Sequence, residues 1–160
     1  MTTLYVYCDA SFKMKKGVCS FVDSHSKIFY VSNFFHTASS VGAELYAIHF
    51  AMIEGIKIAL ANNYKKIIVN TDLLMATCIN EGGKKKYSFM QYIYSIISMY
   101  SDELEIVVAF HGKCGLLRMV DTLAYRKIRG KNLIAEKKEV FGEFYSYPVI
   151  DYTIQLTNDL

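Results

Sequence analysis

Lys66-Ile67-Ile68-Val69-Asn70-Thr71-Asp72 is a compact Ile/Val run that turns polar within three residues. A short apolar run bounded by polar residues predicts a buried strand, and Thr71 and Asp72 can cap a helix that continues through Met75 and Ile79. A strand feeding directly into a helix implies a layered α/β sheet. In open sheets of that kind, ligands bind beyond the carboxyl ends of the strands, where Asp72 falls.

Working outward from this run, the pattern on its N-terminal side is helical over residues 40–62. Leu45, Ile48, Met52, Ile56 and Leu60 recur at spacings of three or four, and Ser39 or Ser40 is the expected cap. Before that helix lie three β-favouring stretches, residues 4–8, 18–22 and 27–35, read as an antiparallel meander. Beyond Asp72, Glu81-Gly82-Gly83 stops the short helix, and Lys84-Lys85-Lys86 leads into a Tyr- and Ile-rich helix over 88–100. A strand at 104–110, a loop at 111–117 and a helix at 119–129 complete the order βββαβααβα, with Gly130 as the closing C-terminal glycine. The expected division is one α/β domain over residues 1–130 and a C-terminal extension over 131–160. That extension, with Phe141, Phe144, Tyr145, Tyr147 and the single proline Pro148, is expected to pack on the domain or to form a short arm.

The bulk numbers agree with one ordinary domain: 160 residues, 52% of them hydrophobic, and a net charge of +3 that permits a polyanionic partner without demanding one. Cys8, Cys19, Cys78 and Cys114 form no Cys-x-x-Cys pair of the kind that binds zinc, and buried free thiols in a reducing compartment are expected over disulfides. The opening Met-Thr-Thr shows no secretory pattern, and no apolar stretch approaches the roughly 18 residues of a membrane span. A cytoplasmic protein without a membrane partner is expected.

Four acids fall at element ends or on helix turns that one sheet brings together: Asp9, Glu44, Asp72 and Asp121. Singly, each has an ordinary explanation. Asp9 serves as a turn former, Glu44 as a solvated helix residue, Asp72 as a helix cap, and Asp121 as an acid favoured near a helix N-terminus. Their order and local contexts, Leu4-Tyr-Val-Tyr-Cys-Asp9-Ala-Ser11, Ala43-Glu44-Leu45-Tyr-Ala47-Ile48, Ile67-Ile-Val-Asn-Thr-Asp72 and Val120-Asp121-Thr-Leu-Ala124, resemble the ribonuclease H superfamily over residues 4–130. Glu54-Gly55-Ile56-Lys57-Ile58-Ala59 looks like the continuation seen in the reverse-transcriptase-like and prokaryotic branches of type 1 ribonuclease H.

The resemblance implies a five-stranded mixed sheet ordered 3-2-1-4-5 with helices on both faces. It also implies hydrolysis of the RNA strand of RNA/DNA hybrids with two Mg²⁺ or Mn²⁺ ions. Hard divalent cations take oxygen ligands, and two ions about 4 Å apart activate a water and stabilise the leaving oxygen. By position, Asp9 would bridge both ions, Glu44 and Asp72 would ligate the one nearer the leaving group, and Asp121 would hold the one that activates water. Glu44 would also hydrogen-bond an RNA 2′-hydroxyl. His111, ten residues before Asp121, matches a mobile-loop histidine that assists product release or proton transfer.

Ser11, Ser40 and Lys84, Lys85 and Lys86 are the expected nucleic-acid contacts, with Lys13, Lys15 and Lys16 as further phosphate contacts. The family pattern is not followed everywhere: Ser40 and Val41 stand where two asparagines grip the hybrid, Leu73 where a serine is common, and Leu117 where an asparagine often sits. Two alternatives therefore stay open: a nuclease of this fold acting on a DNA junction or single strand, and a non-catalytic nucleic-acid-binding module.

Overall fold

The computed structural model describes residues 2–113, 115–133, 136–138, 144–146 and 149–153, with the backbone alone for 136–138 and 144–146. Strands β1 (Thr3–Lys13), β2 (Lys16–Asp23), β3 (Phe29–Ser32) and β4 (Phe35–His36) precede helix α1 (Ser40–Ala61). Strand β5 (Lys66–Thr71), a 3-10 helix (Leu74–Glu81), α2 (Ser88–Met99), β6 (Glu105–Phe110) and α3 (Gly115–Ile128) follow. Near the C-terminus come β7 (Glu136–Lys138), β8 (Phe144–Ser146) and β9 (Val149–Tyr152).

The main sheet runs β6-β5-β1-β2-β3-β9, with β4 also pairing β2. Its first five strands keep the expected 3-2-1-4-5 order, but among the described residues the sheet has seven strands rather than five. One extra strand arises because the stretch expected over 27–35 is broken: Asn33 and Phe34 are exposed between β3 and β4. The other is β9, which runs parallel to β3 with Phe29 opposite Val149 and Ser32 opposite Tyr152. Tyr152 holds it down, donating its hydroxyl hydrogen to Glu54 Oε1 at 2.9 Å and packing edge-on against Phe21. The hairpin β7–β8 forms a separate two-stranded sheet. Phe141, Tyr147 and Pro148 lie outside the described residues, as does Cys114.

Alternation along the strands divides the core into two layers. Leu4, Val6 and Cys8 of β1 and Cys19 and Phe21 of β2 pack with Leu45, Ile48 and Met52 of α1. Val18 and Val22 of β2 pack on the other side with Leu117, Val120 and Leu123 of α3, against which Tyr7 also rests. Strand β2 is buried over Gly17–Asp23 because both of its faces are covered. Gly55 lets α1 approach the sheet closely, since a Cβ there would lie 3.2 Å from Val6 Cγ2. Of the expected α1 stripe, Leu60 alone is half-exposed, at the end of the helix where Ala59 makes the contact instead.

One helix differs from the sequence reading in type and another in where it begins. The segment after Asp72 is 3-10 rather than α-helical, Leu73 supplies no side-chain cap, and Thr71 Oγ1 accepts from Leu73 N–H at 3.1 Å. Helix α3 begins at Gly115, so Leu116 and Leu117 belong to it rather than to the loop. On α2, Met90, Ile93 and Ile96 carry the core contact, whereas Tyr92 and Tyr94 remain more than a third exposed. Cys8, Cys19 and Cys78 are free thiols. No helix among the described residues is long and apolar enough to cross a membrane.

Candidate metal centre

Asp9 lies within β1, opposite Ser20 of β2, and is not in a turn. It is 1% exposed, and its Oδ1 accepts from the Ala10 N–H at 2.8 Å. Asp72 follows β5, the strand beside β1. Its Oδ2 faces Lys113 at 3.2 Å rather than a helix N-terminus, so it is not the cap of the 3-10 helix. Glu44 is half-buried on α1, five residues past the N-cap Ser39, whose hydroxyl accepts from Gly42 N–H at 3.0 Å. Asp121 sits beyond the first turn of α3. The Ser20 hydroxyl donates to the Val120 carbonyl, which ties that helix to the strand position opposite Asp9. None of the four acids has the ordinary role that each could fill alone.

Ligand oxygens of Asp9, Glu44 and Asp72 all lie within 4.8 Å of one another and could hold a metal ion. Asp121 is not in that group of three. It joins through Lys113, whose ammonium is 3.2 Å from Asp121 Oδ1, 3.2 Å from Asp72 Oδ2 and 3.7 Å from Asp9 Oδ2. Lys113 is the site residue that sequence reasoning missed. Its only signal was its place in the loop between His111 and Asp121.

Asp9 Oδ2 and Glu44 Oε2 are buried and have no hydrogen-bond donor. Such orphaned oxygens cost free energy unless a proton or cation reaches them. Burial pushes the Asp9 carboxyl up to about 6; a hydrogen bond with Glu44 opposes this, and the charge of Asp72 adds to it. Burial, followed by the charge of Asp9, holds the Glu44 carboxyl well above its ordinary value. The two face each other, so a shared proton satisfies both when no cation is bound. Burial by itself would lower the Lys113 ammonium, but the charges of Asp9 and Asp121 outweigh it and raise its pKa. All the donors are carboxylate oxygens, a set that suits a hard divalent cation rather than zinc held by thiolate or imidazole.

His111 begins the loop after β6 at the same end of the sheet, its N–H donating to Thr71 O at 2.8 Å, one residue before Asp72. Its Nδ1 is 2.8 Å from the Gly112 carbonyl. Ser11 lies on β1 two residues beyond Asp9, hence on the same strand face. Ser40 opens α1 and is exposed. Lys84, Lys85 and Lys86 are exposed ahead of α2. Lys86 lines a cavity of about 280 Å³ together with Ser39, Gly42, Tyr46, Tyr87 and Phe89. The N-terminal turns of α1 and α2 therefore form a hollow of mixed polar and aromatic lining with a lysine at its side. Lys13, Lys15 and Lys16 surround the exposed β1–β2 turn, where Met14 and Lys15 adopt positive φ.

No family model matches the sequence, and no curated protein does. Solved structures match the fold. Ribonuclease H1 from the halophilic archaeon Halobacterium salinarum NRC-1 is 10% identical with a TM-score of 0.57, covering 80% of this chain and 98% of its own. LC11-RNase H1, solved in complex with an RNA/DNA hybrid, is 13% identical with a TM-score of 0.59, covering 75% and 92%. The N-terminal RNase H domain of Rv2228c from Mycobacterium tuberculosis is 11% identical with a TM-score of 0.59, covering 81% and 99%. The chain has the ribonuclease H-like fold.

Proposed function

We propose that this ribonuclease H-like chain is a divalent-metal-dependent nuclease that hydrolyses the RNA strand of RNA/DNA hybrids. The observation that carries the reading is the convergence of Asp9, Glu44 and Asp72 within 4.8 Å, with two buried carboxylate oxygens that lack a donor. Mg²⁺ or Mn²⁺ held there would polarise the scissile phosphate and lower the pKa of an attacking water. Asp9, fixed by the Ala10 amide inside a central strand, would be the rigid ligand, and Glu44 and Asp72 would complete the oxygen set. Asp121, paired with Lys113 at 3.2 Å, would orient the attacking water and accept its proton. His111, exposed at the rim, would assist product departure.

The hybrid is favoured because LC11-RNase H1, which shares the fold, is found with an RNA/DNA hybrid, and because a 2′-hydroxyl lets a protein tell RNA from DNA. Lys84, Lys85, Lys86 and the hollow beside Ser39 would meet the phosphate backbone, with Ser11 and Ser40 as neutral donors. A second reading rests on Lys113: a carboxylate cluster partly neutralised by its own lysine suits a module that binds nucleic acid without cutting it.

A substrate panel tests these readings. Labelled hybrid, double-stranded DNA, a four-way junction and single-stranded RNA are incubated with the full chain in Mn²⁺ and in EDTA. Hybrid cleavage in Mn²⁺ alone supports the proposal. Junction or single-strand cleavage with the hybrid intact moves the substrate, and binding without cleavage in any arm favours the module.

A further inference from the structure

We propose that the Lys113 ammonium takes the place of one of the two divalent ions expected for this fold, so that the site binds a single ion on Asp9, Glu44 and Asp72. The inference rests on the metal-dependent reading above and deepens it. Its basis is how the four acids are divided. Three of them bring ligand oxygens within 4.8 Å of one another, enough for one ion, and Asp121 is outside that group. What links Asp121 to Asp9 and Asp72 is the ammonium, 3.2, 3.7 and 3.2 Å from the three carboxylates respectively. Asp9 and Asp72 are therefore shared between the one-ion pocket and the lysine, as two ions would share them.

Lys113 is placed by the fold rather than left to wander. The loop that carries it is anchored at its start by the His111 amide on Thr71 O and at Lys113 itself by Arg118 Nη2, which donates to the Lys113 carbonyl at 3.1 Å. A lysine ammonium is a compact point charge, and here it sits 3.2 Å from an oxygen of Asp72 and of Asp121 and within ion-pair distance, 3.7 Å, of Asp9. A divalent ion could not occupy the same space among Asp9, Asp72 and Asp121 without displacing it. Glu44 Oε2, buried and without a hydrogen-bond donor, is in the three-acid group but outside the three ion pairs of Lys113, and it marks the pocket that still requires a cation.

Counting bound Mn²⁺ decides the matter without measuring catalysis. The full chain is titrated at neutral pH, and free Mn²⁺ is followed by its paramagnetic resonance signal. Wild type should bind one ion, Lys113→Arg one, and Lys113→Ala two, with the first ion bound about tenfold tighter in Lys113→Ala because the competing ammonium is gone. Asp121→Asn, a position outside the three-acid group, should retain the single ion with affinity changed less than about threefold. Two ions on wild type would overturn the proposal and leave the metal-dependent reading standing. One ion on both wild type and Lys113→Ala, or loss of the ion in Asp121→Asn, would overturn it as well. No ion on wild type would overturn both.

Discussion

Replacing Asp9 by asparagine should stabilise the protein in EDTA, although it removes a residue proposed as essential. Asp9 is 1% exposed, and burial raises its carboxyl from 3.8 to about 6. Because the folded value lies above the unfolded one, the stability contributed by its proton is fully present below about 3.8 and is lost as pH rises through about 6. At pH 7.5 the ionised group therefore costs the folded state about 3 kcal/mol. Asparagine copies the protonated carboxyl in shape and still accepts from the Ala10 amide. It gives up the ion pair with Lys113, which at 3.7 Å to a 43% exposed lysine offsets little of the gain. The expected net gain is about 2–3 kcal/mol, or roughly 4–12 °C in melting temperature for a chain of this size. Thermal unfolding of wild type and Asp9→Asn in EDTA at pH 7.5 and pH 4.5 measures it. The gain should appear at pH 7.5, shrink at pH 4.5, and reverse when Mg²⁺ stabilises wild type. A mutant no more stable at pH 7.5 than wild type, or a difference independent of pH, would refute the account of the site as a self-repelling carboxylate cluster.

Changing Lys84, Lys85 and Lys86 together to alanine should weaken hybrid binding and lower the slope of log affinity against log salt by roughly 2, read by fluorescence anisotropy at several salt concentrations. Asn80→Ala should cost about 1–3 kcal/mol in urea denaturation, because Asn80 Nδ2 donates to Val108 O at 2.7 Å and its Oδ1 accepts the Val108 N–H at 2.9 Å. Gly83→Ala should cost about 1–3 kcal/mol by the same method: φ is 79° there, and an added Cβ would stand 2.6 Å from Met90 Cβ.

Much of the fold was legible because strand and helix periods are local. The strand at Lys66–Thr71, the helix caught by its Leu45-Ile48-Met52-Ile56 spacing, and the cap at Ser39 all follow from residues within a few positions of one another. Features decided by distant partners were not legible. Strand β1 runs on to Lys13 because it pairs with β2 through a turn at Met14-Lys15, residues that carry none of the usual left-handed turn chemistry. Strand β9 exists because the edge of β3 accepts it, more than a hundred positions away in sequence. The 3-10 geometry after Asp72 likewise has no local signature, since Thr71-Asp72 reads equally well as an ordinary cap.

The site divides in the same way. The motifs point to Asp9, Glu44, Asp72 and Asp121, and the structure groups the ligand oxygens of the first three, with Asp121 outside that group. Lys113 carries no motif. Only the three-dimensional path between β6 and α3 brings its ammonium among the acids.

The central claim is that Asp9, Glu44 and Asp72 form a divalent-metal site. Anomalous diffraction from a crystal soaked in Mn²⁺ near neutral pH tests it most directly. The account predicts an anomalous peak coordinated by oxygens of all three carboxylates, lost in Asp9→Asn. A fully soaked crystal with no peak among them, or the same peak in Asp9→Asn, would contradict it.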